Sequence, residues 1–408
     1  MKLINQPFDN RNVGDTLIEL LEIADFHSFD FVVAFAKNSG VLQLKNAFDK
    51  FRKNKGVINA YVGIDLNGTS YEALTNLFNS TDTLHIVHFE NRQTFHPKLY
   101  RLKGKNRVAF IIGSSNITGG GLWTNIESSI LIDSNERNLD VVNLDKSFTD
   151  YIKRLDTLGS SCLSIKTQEQ IDDLLDKGYV PRELDVVLKP RDNDISRHKL
   201  FGKGVNAIKS CGSQRIERIH TTETNRLDVA SITNNLETFW IESRAMTGGS
   251  RNILDLSKKS LLEYGDPSGT VFDMDDDKFI RGAVEFFGLD PMDESQRKDI
   301  TLNFQGLDYR GNTILYPEGD KANGTWRIQI KGIDANGREI TSAFRDLAPG
   351  STPFLVNKIL AFSRIDDSYY YLSVYEPFRL DDFMKASSIL AHNGQTSTAK
   401  LMGLFKNG

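Results

Sequence analysis

The first part of the chain alternates short apolar runs with stretches of helical spacing. Residues 29–37 (FDFVVAFAK) are dense in apolar side chains, which suits a strand buried on both faces. Residues 42–51 place Leu42, Leu44, Ala47, Phe48 and Phe51 at helical intervals. Residues 57–65 and 84–89 again read as strands, with a short helix predicted between them at 71–78. Residues 96–102 and 107–113 read as two strands joined by the polar turn Lys103-Gly104-Lys105-Asn106. A further strand is predicted at 126–133 and a helix at 139–155. Strands alternating with helices predict an α/β domain, a layered sheet with flanking helices, over residues 1–180.

The pattern weakens over 181–229. Residues 197–220 carry six basic side chains (Arg197, Lys199, Lys203, Lys209, Arg215 and Arg218) against Glu217 alone. Gly202, Gly204 and Gly212 interrupt any helix there. This basic linker reads either as a solvated connector or as a nucleic-acid contact. Beyond 230 the texture becomes strand-like, with runs at 239–243, 300–307, 325–333, 354–363 and 369–375. Turn signals such as Arg310-Gly311-Asn312 and Ala335-Asn336-Gly337 separate them, and one helix is predicted at 277–287. Residues 230–408 therefore read as a mainly antiparallel, barrel-like β domain.

Composition narrows the classes. With 408 residues, the chain is long enough for two cores. Hydrophobic residues at 39% and charged residues at 25% fit a folded globular protein. No apolar run approaches the roughly 20 residues that span a bilayer, and the N-terminus lacks a signal-like apolar core, so a cytoplasmic protein without membrane partners is expected. The net charge of −4 means that any nucleic-acid role needs a local basic patch. Cys162 and Cys211 cannot build a disulfide framework or a Cys-rich zinc site, and both read as structural. Asp273-Met274-Asp275-Asp276-Asp277 superficially resembles a calcium loop. Lys278 stands where the turn glycine belongs and Val284 where the bidentate Glu belongs, so it reads as a solvated acidic turn. There is no phosphate-binding Gly-x4-Gly-Lys-Ser/Thr motif.

The chemistry-bearing stretch is His96-Pro97-Lys98, then Gly113-Ser114-Ser115-Asn116, then Glu127. On a strand, His96 and Lys98 share one face. Asn116 follows a small-residue turn where backbone can approach a ligand, and Glu127 opens the next strand. One imidazole, one ammonium, one amide and one carboxylate can then converge. Such a set performs phosphodiester chemistry without a metal. The imidazole is a nucleophile near neutral pH. Lys98 and Asn116 donate to the non-bridging phosphate oxygens, with Ser114 and Ser115 in support. Glu127 is expected to accept from the other imidazole nitrogen and fix its tautomer. No metal and no cofactor are expected in this protein.

These residues resemble the phospholipase D superfamily, whose signature is His-x-Lys followed by Gly-Ser-x-Asn. The chain departs from it in two ways: Lys103 stands where an Asp is usual, and the gap to Gly-Ser-x-Asn is three residues longer. The match is closer to metal-independent restriction endonucleases of the BfiI and NgoFVII type. It runs through His96-Pro97-Lys98-Leu99-Tyr100, Asn116-Ile117-Thr118-Gly119-Gly120-Gly121 and Asn125-Ile126-Glu127, over roughly residues 25–135. The resemblance implies two His-x-Lys motifs per active site, and this chain has one. It therefore implies a homodimer through the N-terminal domain, with a phosphohistidine intermediate on one His96 and acid–base work by the other. It also implies a C-terminal pseudobarrel, similar to plant B-three domains, over 230–408. That pseudobarrel would clasp double-stranded DNA with two arms. Arg244, Arg251 and Asn252 would lie in one arm and Asn323 and Arg327 in the other, where Arg reads guanine and Asn reads adenine.

The resulting expectation is a sequence-specific, metal-independent DNA endonuclease, a type II-like restriction enzyme. Two alternatives stay open: a non-catalytic DNA-binding module, and the nuclease subunit of a larger complex whose ATPase or translocase is a separate chain. A lipid phosphodiesterase would need a membrane-binding helix and a second motif, and the sequence has neither.

Overall fold

The apolar runs fold as β2 (Phe26–Val33), β3 (Val57–Gly63) and β4 (Thr83–Val87), three parallel neighbours in one sheet. The computed structural model describes residues 1–91, 93–135, 138–188, 238–246, 251–318, 324–350 and 352–405. The basic stretch 197–220, Cys211 and Asn323 lie outside the described residues. The chain divides into two units, broadly the N-terminal and C-terminal parts.

In the first unit, β1 (Lys2–Gln6), β5 (Lys98–Gly104), β6 (Arg107–Gly113), β7 (Glu127–Asn135) and β8 (Cys162–Ile165) complete an eight-stranded sheet of order β1-β7-β6-β5-β2-β3-β4-β8. All pairings except those among β2, β3 and β4 are antiparallel. One face packs against α1 (Val13–Leu21), α2 (Asn38–Lys53), α3 (Tyr71–Ser80) and α5 (Gln168–Asp176), around Phe29, Phe31, Phe48, Leu74 and Tyr100. The other face meets α4 (Leu139–Asp156) through Val32, Phe110, Phe148 and Leu155. Strands covered on both faces explain why the sequence shows continuous apolar runs instead of alternation. A short helix, α6 (Glu183–Leu188), follows.

Element ends differ from the sequence reading in instructive ways. The run at 29–37 leaves the ladder after Val33 because Ala34, Phe35 and Ala36 donate to Pro97, Asn116 and Thr69 instead. The strand expected at 96–102 starts only at Lys98, so His96 sits on the loop before it. The elements β1, α1, β8 and α5 were not among those expected from the sequence.

The second unit holds an eleven-stranded sheet. Its strands are β9 (Thr238–Glu242), β10 (Ile253–Leu256), β11 (Lys259–Gly265), β12 (Phe279–Arg281), β13 (Arg297–Phe304), β14 (Leu307–Leu315), β15 (Trp326–Gln329), β16 (Ile359–Arg364), β17 (Tyr369–Tyr375), β18 (Ile389–His392) and β19 (Leu401–Phe405). Their order is β10-β15-β14-β13-β17-β16-β9-β19-β18-β11-β12, antiparallel except β13 with β17. No pairing among the described residues closes it into a barrel. Yet β10 and β11 lie near opposite ends of that order, and only Ser257 and Lys258 join them. Such a short link reaches about 10 Å, so the sheet must curl until its ends approach. Asn393 bridges the gap, accepting from the Ser257 amide and donating to the Asp255 carbonyl. The two short helices are α7 (Ile340–Leu347) and α8 (Leu380–Ala386). The helix expected at 277–287 is instead strand β12 followed by a 3-10 turn at Ala283–Phe287. Gly282 breaks the run where a Cβ would strike the Ser257 carbonyl at 2.1 Å.

Candidate active site

The topology brings one end of β1, β2, β5, β6 and β7 together. The parallel strand β2 ends there, the antiparallel β5 and β7 begin there, and β6 ends there. The expected site residues sit on the loops and strand ends of that edge. The chain at Ala34-Phe35 is the hub: the Ala34 amide donates to Pro97, the Phe35 amide donates to Asn116 Oδ1 at 3.1 Å, and the Phe35 ring meets the His96 ring edge-on at 5.4 Å.

The His96 imidazole is exposed, and the half-buried Lys98 reaches it. Lys98 Nζ lies 2.7 Å from His96 Nδ1, 3.1 Å from Nε2, and donates to the His96 carbonyl at 3.1 Å. An ammonium cannot accept, so a ring nitrogen accepts from it. Burial holds the Lys98 pKa below its ordinary value, with the Glu127 charge opposing that shift. Asn116 uses its carbonyl oxygen on Phe35. Its amide nitrogen has no hydrogen-bond partner among the described residues, which leaves two N–H donors open.

Glu127 does not hold the imidazole as the sequence reading expected. It accepts the Ser114 hydroxyl and, at 3.5 Å, the Asn125 amide. The reason lies in the register: Gly113 pairs with Ser129, so the turn after β6 lays Ser114 against the start of β7. Ser115 points inward. Its hydroxyl meets Ser129 at 3.4 Å and its carbonyl accepts from the buried Tyr100 hydroxyl at 2.8 Å. Burial, with Glu127 adding to it, pushes the Tyr100 pKa up, so the phenol stays a neutral donor beneath the turn.

Two residues that the sequence reading missed position these loops. Gln6 is fully buried at the end of β1. Its amide donates to the Gly121 and Asn125 carbonyls at 3.1 and 3.3 Å and accepts from the Val13 amide at 3.0 Å. That fixes the loop holding Asn116 and Asn125. Gly121 is required there, since a Cβ would sit 2.7 Å from the Asn116 carbonyl. Asp65 does the same for the His96 loop, accepting the Phe95 amide at 2.8 Å and contacting His88 Nδ1 at 2.7 Å. A lone Gln and a lone Asp carry no motif, and only tertiary placement reveals them.

Lys103, at the position where the phospholipase D pattern has an acid, finds its counter-charge on α4. Lys103 Nζ lies 2.7 Å from Asp145. Asp145 also pairs with Arg101, whose guanidinium reaches Asp30 at 2.8 Å and stacks on Phe148 at 4.6 Å.

In the second unit, Arg244 donates to the Thr398 and Ala399 carbonyls and pairs with Glu242. Arg251 is exposed and, among the described residues, donates to the Met246 carbonyl at 2.8 Å. Both have positive φ, +45° and +48°, so each marks a sharp turn of the chain. Asn252 donates to Ile330, and Arg327 pairs with Asp255 at 3.2 Å.

No helix among the described residues is long and apolar enough to cross a membrane. No family model and no curated protein matches the chain. Solved structures similar to it include a phospholipase D family member, Nuc from Salmonella typhimurium, at 15% identity, covering 41% of this chain and 97% of that one with a TM-score of 0.31. NucT from Helicobacter pylori is similar at 14% identity, covering 40% and 98% with a TM-score of 0.29. A polyphosphate kinase from Porphyromonas gingivalis is similar at 15% identity, covering 36% and 25% with a TM-score of 0.26.

Proposed function

We propose that this protein is a metal-independent DNA endonuclease of the phospholipase D kind, acting as a homodimer and directed to its sequence by the C-terminal unit. The observation that carries this reading is the joining of His96, Lys98 and the open amide of Asn116 around the Ala34-Phe35 hub. Lys98 and Asn116 offer the donors that a pentavalent phosphorus needs for its oxygens. An incoming phosphate draws Lys98 away from the imidazole and frees a ring nitrogen for attack.

One His96 nitrogen then bonds to phosphorus as the P–O bond to the leaving sugar oxygen breaks. The partner's His96 gives that oxygen a proton. In the second half, the same partner imidazole takes a proton from water, whose oxygen displaces the P–N bond. Glu127 and Ser114 orient the turn and set the local charge. One motif per chain makes a second copy necessary. The apolar side chains of Leu3 and Ile130, paired across β1 and β7, and of Ile126 beside Glu127, are 60%, 39% and 69% exposed at this edge and favour such a contact.

Incubation of plasmid DNA with the full-length protein in EDTA, followed by sequencing of the ends, tests the reading. Cuts at one fixed sequence without any divalent ion are expected. Cleavage that appears only on adding magnesium overturns the mechanism, and cuts at random positions overturn the specificity. Light scattering is expected to give about twice the chain mass, and an active monomer rules out the shared site.

A further inference from the structure

Cys162 has no histidine near it in the sequence, but strand pairing supplies one. Tyr61 on β3 lies directly opposite His85 on β4, while Cys162 on β8 lies opposite Val87. Residues 85 and 87 point to the same side of their strand, so the imidazole and the thiol share the face that α4 covers. The last residue of α4 is Asp156. One donor atom from each of His85, Asp156 and Cys162 lies within 4.8 Å of the other two.

We propose that His85, Asp156 and Cys162 form a zinc site that joins β4, α4 and β8. Three features support it, independently of the reading of His96. First, among the described residues the nitrogen and sulfur donors are not hydrogen-bonded elsewhere, and the carboxylate is held by one hydroxyl. Neither His85 nitrogen nor the Cys162 sulfur makes a hydrogen bond among the described residues, and Asp156 has no Lys or Arg ion pair there. Second, the ligands are held in place. The Tyr61 ring stacks on the His85 ring, with centroids 4.4 Å apart and planes 8° apart, and the Tyr61 hydroxyl donates to Asp156 Oδ1 at 2.8 Å. A hydroxyl on a ligating carboxylate is the usual outer support of a metal site. Third, the donor set discriminates. One nitrogen, one sulfur and one oxygen suit zinc, whereas calcium and magnesium take oxygen ligands.

Zinc bond lengths of about 2.0–2.3 Å place tetrahedral ligand atoms roughly 3.3–3.8 Å apart, so binding needs the three donors to close by no more than about 1.5 Å. Cys162 binds as thiolate, its proton leaving to solvent, and water takes the fourth position. β8 is a four-residue edge strand paired only with β4. A metal linking it to the end of α4 pins the sheet edge to the helix that covers its second face.

The test uses full-length protein stripped of metal and titrated with cobalt as a spectroscopic probe, then with zinc. Wild type and Cys211→Ser are both expected to bind one equivalent. Each should show a thiolate-to-cobalt charge-transfer band and the intense visible bands of a tetrahedral ion. Cys162→Ser should lose the charge-transfer band, His85→Gln should lose the tetrahedral spectrum, and Tyr61→Phe should bind about 10–100-fold more weakly. Zinc should raise the unfolding temperature of wild type and not of Cys162→Ser. A featureless spectrum in Cys211→Ser overturns the proposal even if the other variants fail to fold. So does a charge-transfer band that survives in Cys162→Ser.

Discussion

The end of the eight-stranded sheet and the candidate reading arms of the second unit differ in how far their polar side chains are engaged. At the sheet end, the Asn116 amide has open donors among the described residues and Lys98 is hydrogen-bonded to the nearby His96. In the arms, Arg244 makes three contacts, and Asn252 and Arg327 are each tied to the sheet. A donor left open at a loop edge is available to a substrate at little cost. A donor already bonded must exchange one partner for another, and the net gain is small. The comparison predicts that substitutions at the first place break chemistry and that most at the second disturb structure before recognition.

The largest effect belongs to His96. His96→Ala should lower cleavage by about four orders of magnitude or more, as expected for loss of a nucleophile. It should leave duplex binding within about twofold, because the ring is exposed and its packing is one edge-on contact with Phe35. Single-turnover cleavage and a binding titration measure the two. Residual cutting within tenfold of wild type would show that another group attacks phosphorus.

Arg101, engaged on the same strand as Lys98, should behave in the opposite way. It is 9% exposed and its partner Asp30 is 6% exposed. Arg101→Ala leaves that carboxylate buried without a cation and should cost about 3–5 kcal/mol of stability in denaturant unfolding. A loss below about 1 kcal/mol would mean that Asn59 and Ser28, which also bond Asp30, suffice.

Glu72 links this contrast to pH. It is buried beside Glu183, and burial followed by the Glu183 charge raises its pKa from the ordinary 4.5 to about 7. The folded chain therefore holds the Glu72 proton more tightly than the unfolded chain. Its contribution to stability is complete below about pH 4.5 and falls as pH rises through 7. Each pKa unit is worth about 1.4 kcal/mol, so the decline amounts to roughly 3 kcal/mol. Glu72→Gln, neutral throughout, should flatten that slope and be the more stable protein at pH 8. Parallel stability–pH curves for the two proteins would remove Glu72 as the cause.

Much of this was legible in the sequence, and the limits have physical reasons. The buried parallel strands announce themselves because both faces need apolar cover, and His96-Pro97-Lys98 with Asn116 stands out because the spacing is short. The donor to Glu127 was misread because register decides it: one residue's shift between β6 and β7 would exchange Ser114 for another neighbour. Gln6, Asp65 and the grouping of His85 with Cys162 were invisible because each joins positions far apart in the chain. The curl of the second sheet was only half visible. Its strand-like runs are visible, but the two-residue link between β10 and β11 gains meaning only once the strand order places them near opposite ends.

The smallest and most discriminating effect lies between Arg251 and Arg327. Arg251 is exposed with one carbonyl contact among the described residues, whereas Arg327 is 18% exposed and paired with the similarly buried Asp255. If the arms read bases, Arg251→Ala should weaken binding to the cognate duplex by about 1–3 kcal/mol and relax discrimination at one base pair, with stability unchanged. Arg327→Ala should instead remove the Asp255 ion pair, lower stability by on the order of 1 kcal/mol, and weaken cognate and scrambled duplexes alike. Titrations on both duplexes at two salt concentrations, with unfolding curves for each variant, separate the outcomes. Equal losses on both duplexes for Arg251→Ala, together with a salt slope lower by about one, would make it a phosphate contact and move the reading elsewhere in the unit. A base-specific loss for Arg327→Ala would show that its pairing with Asp255 opens on DNA, and that engagement in the free protein does not predict role.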